Sequence, residues 1–386
     1  MITASARQIP LLDLPAQHRT IRDEVLKEIV RVVDSQKFIL GEEVRQFESE
    51  MAPYCSTRFA VGCASGSDAL LLALLALDIG PGDEVLTTPY TFFATAGAIS
   101  RAGATPVFAD VEEGTFNIDV NRMREALEAH PRVRAIIPVH LFGGCADMDP
   151  ICEMAASREI PVIEDAAQSI GSEYKGRRAG SVGRIGCFSF FPSKNLGGYG
   201  DGGMVTTDDT QLAERLAALR VHGRTGKYFH EWIGVNSRLD ALQAAVLRVK
   251  FRYLDGWSAG RQRNADRYRT RLAESGAPVV PTTPAAYQTR HVYNQFVIRG
   301  ADRDGLQAHL KSRGIGSEIY YPLPLHLQPC FSALGYRKGD FPVSEKLALE
   351  SLALPVHSEL TAEDIDFVCE SVAGFYCRAT VAGGAA

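Results

Sequence analysis

The stretch that decides the fold covers residues 162–203 and reads VIEDAAQSIGSEYKGRRAGSVGRIGCFSFFPSKNLGGYGDGG. It opens with an apolar strand that ends in Glu164 and Asp165. A second apolar strand, predicted over residues 185–191, is followed by Lys194 and a glycine-rich turn. An acid at the end of one strand and a lysine after the next can reach the same crevice. We therefore predict that Asp165 and Lys194 share a site, while Glu164 points to the opposite face of the strand.

The pairing of Asp165 with Lys194 suits pyridoxal phosphate (PLP). A lysine can form a Schiff base with the aldehyde, and an acid can keep the pyridine nitrogen protonated so that the ring accepts electrons. Asp165 has a second interpretation, as the N-cap of the segment Ala166-Ala167-Gln168. His140, at the end of another predicted strand, is either a polar group near the ring or a satisfied histidine, and we favour the second.

Length and composition narrow the class of protein. A chain of 386 residues is too long for one simple core and fits two domains. With 46% hydrophobic residues, 23% charged residues and a net charge of −5, it is typical of a globular protein without a nucleic-acid partner. The N-terminus lacks the apolar core of a signal peptide, and the longest apolar run, residues 69–77, is too short to cross a membrane. We expect a cytoplasmic protein with no membrane partner.

The eight cysteines show no CxxC pair. Scattered cysteines of this kind indicate reduced, mostly buried thiols rather than disulfides or a metal site.

Short β-branched runs alternate with helical segments through the first two thirds of the chain. This alternation predicts a mostly parallel sheet covered on both faces. A long helix is predicted from Asn236 through about residue 273, and the Pro-rich strip at residues 277–285 indicates the crossing into a smaller domain. We predict one domain over residues 1–255, which begins with an extended N-terminal arm, and a second over residues 256–386.

A predicted strand over residues 59–62 leads through a small-residue turn into a helix. Free N–H groups at a helix N-terminus favour a phosphate, so we place the PLP phosphate on Gly66 and Ser67. Serine is also a common N-cap, which is the alternative here. The hydroxyl of Ser189 is flanked by apolar side chains and needs a polar target, which the same phosphate would supply.

Several segments of the chain, taken together and in order, resemble one family. They are PLLDL, GCASGSDAL, TPYTFFATAGAI, EDAAQS, FSFFPSKNLGGYGDGG, GVNSRLDALQAA and YYPLPLHLQPCF. The order and content are similar to the DegT/DnrJ/EryC1/StrS family of sugar aminotransferases. The resemblance implies the type I PLP-dependent transferase fold, with a mostly parallel seven-stranded sheet in a large α/β domain and a smaller α+β domain. It also implies amino-group transfer from L-glutamate to a keto-sugar nucleotide.

The resemblance assigns further cofactor contacts residue by residue. It places Phe92 flat on the PLP ring, with Phe93 as a core residue beside it, and lets Gln168 hydrogen-bond the phenolic oxygen. It has Asn236 reach the phosphate of the neighbouring subunit, which implies a homodimer with shared active sites. The alternatives are a core position for Phe92 and a simple N-cap for Asn236.

Three residues are candidates for substrate binding. Arg238 would bind a carboxylate of the amino donor or a phosphate of the sugar, or would merely pair with Asp240 or Glu231. Tyr321 and His326 lie on a proline-stiffened loop suited to contact with a sugar hydroxyl or diphosphate. For His326, a capping or interface role is the alternative.

The resemblance also bears on the substrate. FFPSKNLGGYGDGG and YYPLPLHLQPCF are more similar to the branch that acts on 3-keto nucleotide sugars than to the C4 branch, where a histidine often precedes Pro-x-Lys. A 4-ketosugar or a keto-cyclitol remains an alternative. Lys194 argues against the dehydratase and deoxygenase members of the family, which carry histidine there.

Two other classes stay open at this point. One is a PLP lyase or racemase, because the fold does not fix the reaction. The other is a non-catalytic regulatory protein, although such a protein would not need Lys194, Asp165, Ser189 and Gly66 together.

Overall fold

The computed structural model describes residues 7–383, with side chains through residue 377. The first six residues of the predicted N-terminal arm therefore lie outside the described residues. The described chain contains the strands β1 Phe59–Cys63, β2 Glu84–Thr87, β3 Thr105–Phe108, β4 Val133–Ile136, β5 Ile163–Asp165, β6 Glu173–Tyr174, β7 Arg177–Arg178, β8 Ile185–Ser189, β9 Gly203–Thr207, β10 Val279–Pro281, β11 Phe296–Gly300 and β12 Ser351–Leu354.

Seven of these strands form the main sheet, in the order β3-β2-β4-β5-β8-β9-β1. Parallel bridges from Ile136 to Val162 and from Val139 to Asp165 join β4 to β5. Only β9 runs against its neighbours, β8 and β1, so the predicted mostly parallel seven-stranded sheet is confirmed. Strands β2 and β9 are buried along their whole length, as expected for a sheet covered on both faces.

Helices lie against both faces of this sheet and along the C-terminal part of the chain. Within residues 7–383 their bounds are α1 Leu14–Ser35, α2 Glu42–Tyr54, α3 Gly66–Ala76, α4 Ala94–Arg101, α5 Val120–Ala129, α6 Met148–Ala156, α7 Thr210–Leu219, α8 Ala241–Phe251, α9 Leu254–Ser275, α10 Arg303–Ser312, α11 Pro342–Glu350 and α12 Ala362–Gly383.

Two hydrophobic cores separate the faces of the sheet. Helices α3, α4 and α7 contribute residues such as Leu70, Ile99 and Leu216 to one core. Helices α2, α5, α6 and α8 contribute to the other core, which also holds Phe188 and Phe190 from the end of β8. Burial on both sides fixes the register of the strands, because a slip of one residue would exchange the two faces.

The predicted long helix from Asn236 is wrong in two respects. Helix α8 begins at Ala241, and the helical path is interrupted before α9 begins at Leu254. Asn236 instead forms an antiparallel bridge with Val221, and the N–H of Ser237 donates to Arg220 O at 2.9 Å. These cross-chain hydrogen bonds hold the segment extended, so Asn236 is not the N-cap and Asp240 occupies that position.

A second unit is built on the antiparallel sheet β10-β11-β12. Helices α9, α10 and α12 cover it, and their apolar residues form a core of their own with Phe296 and Leu352. Ile9 also packs into this core and bridges Ile315, so the N-terminal arm crosses to the second unit. The division at residue 255 stays a prediction.

Three further properties concern the described residues as a whole. None of their helices is both long enough and apolar enough to span a bilayer. Five of the eight cysteines are buried. The described residues hold no group of three or more His, Cys, Asp or Glu side chains that would bind a metal.

Candidate active site

A cavity of about 350 Å³ opens at the carboxyl edge of the main sheet. The ends of β1, β5 and β8 meet there, which is where ligands bind in open α/β sheets. Its lining includes most of the predicted cofactor residues, namely Gly66, Ser67, Phe92, Asp165, Gln168, Ser189 and Lys194, together with Tyr321. The tertiary structure thus brings residues from positions 66 to 321 of the chain into one site.

Lys194 is carried on a tight loop just past β8. Its N–H donates to Phe191 O at 2.8 Å, and the N–H of Gly198 donates to Phe190 O at 2.8 Å, so the loop closes on itself. Gly197 must be glycine, because a Cβ there would lie 2.3 Å from Pro192 O. Burial lowers the pKa of the Lys194 ammonium to about 8, while Asp165 acts in the opposite direction. A neutral amine is therefore accessible near physiological pH.

Asp165 ends β5 and is only 5% exposed. Its Oδ2 accepts a hydrogen bond from Thr95 Oγ1 at 2.8 Å, and its Oδ1 accepts from the N–H of Ala167 at 3.2 Å. Burial raises the pKa of Asp165, and the hydrogen bonds and Lys194 oppose that rise. The bond from Ala167 shows that Asp165 does cap the following turn, so the two interpretations of this residue coexist.

The start of α3 forms an anion-binding end of the cavity. Ser65 is the N-cap and accepts the N–H of Asp68 at 3.1 Å, which leaves Gly66 and Ser67 at the first helical positions. A Cβ on Gly66 would lie 2.6 Å from Ser189 Cβ, so the site requires glycine there. Unpaired N–H groups at the start of α3 and the Ser189 hydroxyl suit a phosphate. With Asp165 and Lys194 farther along the cavity, these residues fit PLP.

Aromatic side chains form the other wall. Phe92 is 56% exposed, and its ring centroid lies 6.1 Å from that of Tyr321. This exposure excludes a core role for Phe92 and leaves its face available for stacking. Phe93 is also exposed, at 47%, and stacks on Phe331, so the prediction that it is a core residue is wrong.

Gln168 is held at both ends of its amide. Its Oε1 accepts the N–H of Phe142 at 2.7 Å, and its Nε2 donates to the Tyr321 hydroxyl at 3.1 Å. One N–H of Nε2 remains for a ligand. Burial raises the pKa of Tyr321, so its hydroxyl keeps its proton and can act as a donor in the cavity.

Glu164 lies on the opposite face of the strand end, as predicted, and His140 lies beside it. His140 Nδ1 accepts the N–H of Ala146 at 3.1 Å, so Nε2 carries the proton and donates to Glu164 Oε2 at 2.8 Å. Both side chains are fully buried, and neither lines the cavity. His140 is therefore a satisfied structural histidine.

Three predicted site residues lie outside the cavity of their own chain. Asn236 is exposed, but the hydroxyl of neighbouring Ser237 accepts the N–H of Ala64 at 3.1 Å. Asn236 and Arg238 thus flank the strand-to-helix turn without lining the cavity, and their ligand contacts stay predictions. His326 is 2% exposed, and its Nε2 pairs with Glu345 Oε1 at 3.1 Å. Burial lowers its pKa, and we do not carry His326 into the proposed site.

Sequence reasoning missed other residues of the cavity lining. Thr91, Thr95, Asp201, Gln295 and Tyr320 all contribute to it. Thr95 touches Asp165 although 70 positions separate them. The sequence carries no pattern for this contact, because α4 and β5 meet only when the sheet is assembled.

Comparisons with known proteins agree with this geometry. A model of the DegT/DnrJ/EryC1/StrS aminotransferase family matches residues 19–373. The chain is 48% identical over 369 residues to a Geobacillus stearothermophilus protein named pleiotropic regulatory protein, covering 95% of this chain and 98% of that relative. It is 46% identical over 357 residues to a UDP-N-acetyl-3-dehydro-alpha-D-glucosamine 3-aminotransferase from Acidithiobacillus ferrooxidans, covering 92% and 95%.

The fold is also similar to that of solved structures. The X-ray structure of S. venezuelae DesV in complex with a ketimine intermediate superposes with a TM-score of 0.92 at 43% sequence identity. The match covers 95% of this chain and 98% of that structure. The type I fold predicted from the sequence is therefore confirmed.

Proposed function

The chain belongs to the DegT/DnrJ/EryC1/StrS aminotransferase family, and on that premise we propose that it moves the amino group of L-glutamate to a keto-sugar nucleotide. It is a PLP-dependent aminotransferase. The observation that carries the proposal is the placement of Asp165 and Lys194 in one cavity, with the pKa of the Lys194 ammonium lowered to about 8. PLP, when bound, supplies the electron sink that makes the Cα proton of an amino acid labile.

The residues of the chain divide the remaining work. Lys194, in its neutral form, would take the proton from Cα of the donor and pass it to the cofactor instead of returning it to Cα, because burial holds its pKa near the working range. Asp165 would balance positive charge at the ring nitrogen. Gly66, Ser67 and Ser189 would hold the phosphate, Phe92 would stack on the ring, and Gln168 and Tyr321 would orient groups at its edge.

We assign the acceptor to the 3-keto nucleotide sugars. The segments around Lys194 and Tyr321 support this assignment, and so does the 3-aminotransferase activity for which the Acidithiobacillus ferrooxidans relative is named. The 4-ketosugars and keto-cyclitols are the competing substrates. The regulatory name of the Geobacillus stearothermophilus relative does not favour a non-catalytic function, because the complete set of Lys194, Asp165, Ser189 and Gly66 is present in one cavity.

We further propose a homodimer located in the cytoplasm. Asn236 is exposed beside the phosphate-binding turn, where it is free to reach a second subunit. The scattered and mostly buried cysteines support a reducing compartment. Arg238, half-buried next to Asn236, is proposed to bind a carboxylate of the amino donor or a phosphate of the sugar.

An absorbance spectrum of the PLP-loaded protein, before and after addition of L-glutamate, tests the reaction. We expect the yellow band to fall and the band of pyridoxamine phosphate to rise. A panel of 3-keto and 4-keto nucleotide sugars should then restore the yellow band, with the 3-keto compounds faster. An unchanged spectrum with every amino acid offered would contradict an aminotransferase.

A further inference from the structure

Two threonines at the start of α4 form a hydrogen-bonded chain that ends on Asp165. Thr95 is fully buried, and Thr91 is 3% exposed. Their hydroxyl oxygens lie 3.2 Å apart, and Thr95 Oγ1 lies 2.8 Å from Asp165 Oδ2. The carbonyl of Phe92 is a longer alternative for the Thr95 proton, at 3.3 Å.

The chemistry of the groups sets the direction of this chain. A carboxylate only accepts hydrogen bonds, and a hydroxyl has a single proton to donate. Thr95 therefore gives its proton to Asp165 at the shorter distance, and its oxygen accepts the proton of Thr91. Hydrogen bonds to a charged acceptor are about twice as strong as neutral ones, so the carboxylate is the favoured target.

We propose that Thr95 is a positioning residue for PLP, because its hydroxyl, oriented by Thr91, fixes the ionised carboxylate of Asp165 at the ring end of the cavity. The inference deepens the proposed function and rests on it. It assigns a role to the TPYTFFATAGAI segment beyond the stacking role of Phe92.

The sparse hydrogen bonding of Asp165 makes this contact important. Among the described residues, only Thr95 and the N–H of Ala167 donate to its carboxylate, and the bond from Ala167 is the longer one at 3.2 Å. Burial raises the pKa of Asp165, and the hydrogen bond from Thr95 is the largest influence that opposes this rise. The other charged or titratable groups that interact electrostatically with Asp165 are Lys194, His140, Cys187 and Tyr321.

Titration of the full-length, cofactor-free protein with PLP tests the role of Thr95. Thr95→Val keeps the shape and removes the hydroxyl, and Thr95→Ser restores a hydroxyl. We expect Thr95→Val to raise the PLP dissociation constant about tenfold, the loss typical of a hydrogen bond to a charged group. Thr91→Val, which removes only the outer hydroxyl, should raise it about twofold.

The same titration repeated from about pH 5 to about pH 8 separates positioning from packing. Without the Thr95 donor the pKa of Asp165 rises further, so PLP affinity should begin to fall at a higher pH as the solution is made more acidic. Thr95→Ser should return both the dissociation constant and this acid limb towards the wild-type values. The groups on the other elements are unchanged in every variant, so the difference between variants reports Asp165.

An unchanged dissociation constant and acid limb in Thr95→Val would overturn the proposal, even if the unfolding temperature fell. If the valine variant does not fold, Thr95→Ala removes the hydroxyl without adding a methyl group next to Asp165 and is expected to give the same two changes. The titration needs neither amino donor nor sugar. A failed reaction with L-glutamate would contradict the proposed function, but the PLP titration of the Thr95 variants could still be interpreted.

Discussion

Glu164 and Asp165 are consecutive carboxylates in β5, both are buried, and they face opposite sides of the sheet. Glu164 accepts hydrogen bonds from the N–H groups of Gly180, Val182 and Gly183 and from His140. Asp165 accepts a hydrogen bond from the hydroxyl of Thr95 and a longer one from the N–H of Ala167, and it lines the cavity. The hydrogen-bonding sites of the Glu164 carboxylate are thus filled by groups of the same chain, whereas the Asp165 carboxylate can still interact with a ligand.

The pKa shifts of the two acids follow from this difference. Burial acts on both, but the bonds from His140, Gly183 and Gly180 outweigh it and hold the pKa of Glu164 below its ordinary value. The fewer donors around Asp165 do not outweigh burial, and its pKa is raised. A buried acid whose hydrogen bonds are incomplete is a better indicator of a ligand site than a buried acid as such.

Two lysines repeat the contrast. Burial lowers the pKa of both Lys194 and Lys250 to about 8. Lys250 is 3% exposed and donates to Gly197 O at 2.5 Å, while Lys194 lines the cavity. Lys250 therefore supports the loop that carries Lys194.

The largest effect is expected from Lys194→Ala. Turnover of L-glutamate with a ketosugar should fall by about 10⁴-fold or more, because the residue that moves the Cα proton is removed. Far-ultraviolet circular dichroism should show an intact fold, and Lys346→Met, on an exposed lysine, serves as the control. Activity of the Lys194→Ala variant within about tenfold of wild type would contradict the role assigned to Lys194.

Glu164→Gln should destabilise the protein by about 3 kcal/mol, because it replaces a fully buried carboxylate that accepts hydrogen bonds from His140 and from three backbone N–H groups. Urea unfolding of the cofactor-free protein measures the change. Because the pKa of Glu164 is lowered in the folded protein, its ionised carboxylate stabilises the fold at pH values above the unfolded pKa of 4.5. This stabilisation is lost as the pH falls through the pKa of the folded state. The free energy of unfolding of the Glu164→Gln variant should therefore depend less on pH in the acid range than that of the wild type. Equal stability of variant and wild type at neutral pH would contradict a structural role for Glu164.

Asp165→Asn should weaken PLP binding without loss of stability, in contrast to the effect of Glu164→Gln on stability. PLP affinity should fall about 100-fold, because the charge that pairs with the ring nitrogen is gone. The stability of the cofactor-free protein should stay the same or rise, because a buried charge with few hydrogen bonds is removed. The two measurements are PLP titration and urea unfolding, and a stability loss as large as that of Glu164→Gln would break the comparison.

Lys250→Met should lower turnover about tenfold through the loop that holds Lys194. The substitution leaves the carbonyl of Gly197 without its partner at a position where a buried acceptor needs one. Hydrogen exchange of the amides at residues 191–200 should speed up while exchange in β2 stays the same. Unchanged exchange in the loop would contradict this support.

The smallest expected effect is a difference in the rates at which Lys194 and Lys250 are chemically modified. In the cofactor-free protein, an amine-directed reagent should modify Lys194 with a pH midpoint of about 8. Lys250 has the same lowered pKa, but its buried hydrogen bond should make its modification slower. Peptide mapping by mass spectrometry measures both rates, and a midpoint for Lys194 near the ordinary lysine value of 10.5 would show that the cavity does not perturb it.

The sequence by itself determined the sheet, the cofactor and the central residues of the site. Alternating apolar strands and helices reflect burial on both faces, which local patterns record directly. Asp165, Lys194, Gly66 and Ser189 were predictable because strand ends and tight turns leave a local signature. The helix starts at Val120 and Thr210 are likewise local, since an aspartate N-cap precedes each.

Only the tertiary structure decided the contacts between distant segments. It placed Thr95 on Asp165, Lys250 under the loop of Lys194 and His326 against Glu345. It also exposed Phe93 and held Asn236 extended, against the sequence prediction for both. The physical reason is that propensity and periodicity report a residue's neighbours along the chain. A hydrogen bond between α4 and β5 depends instead on the closure of the whole sheet, which no single segment encodes.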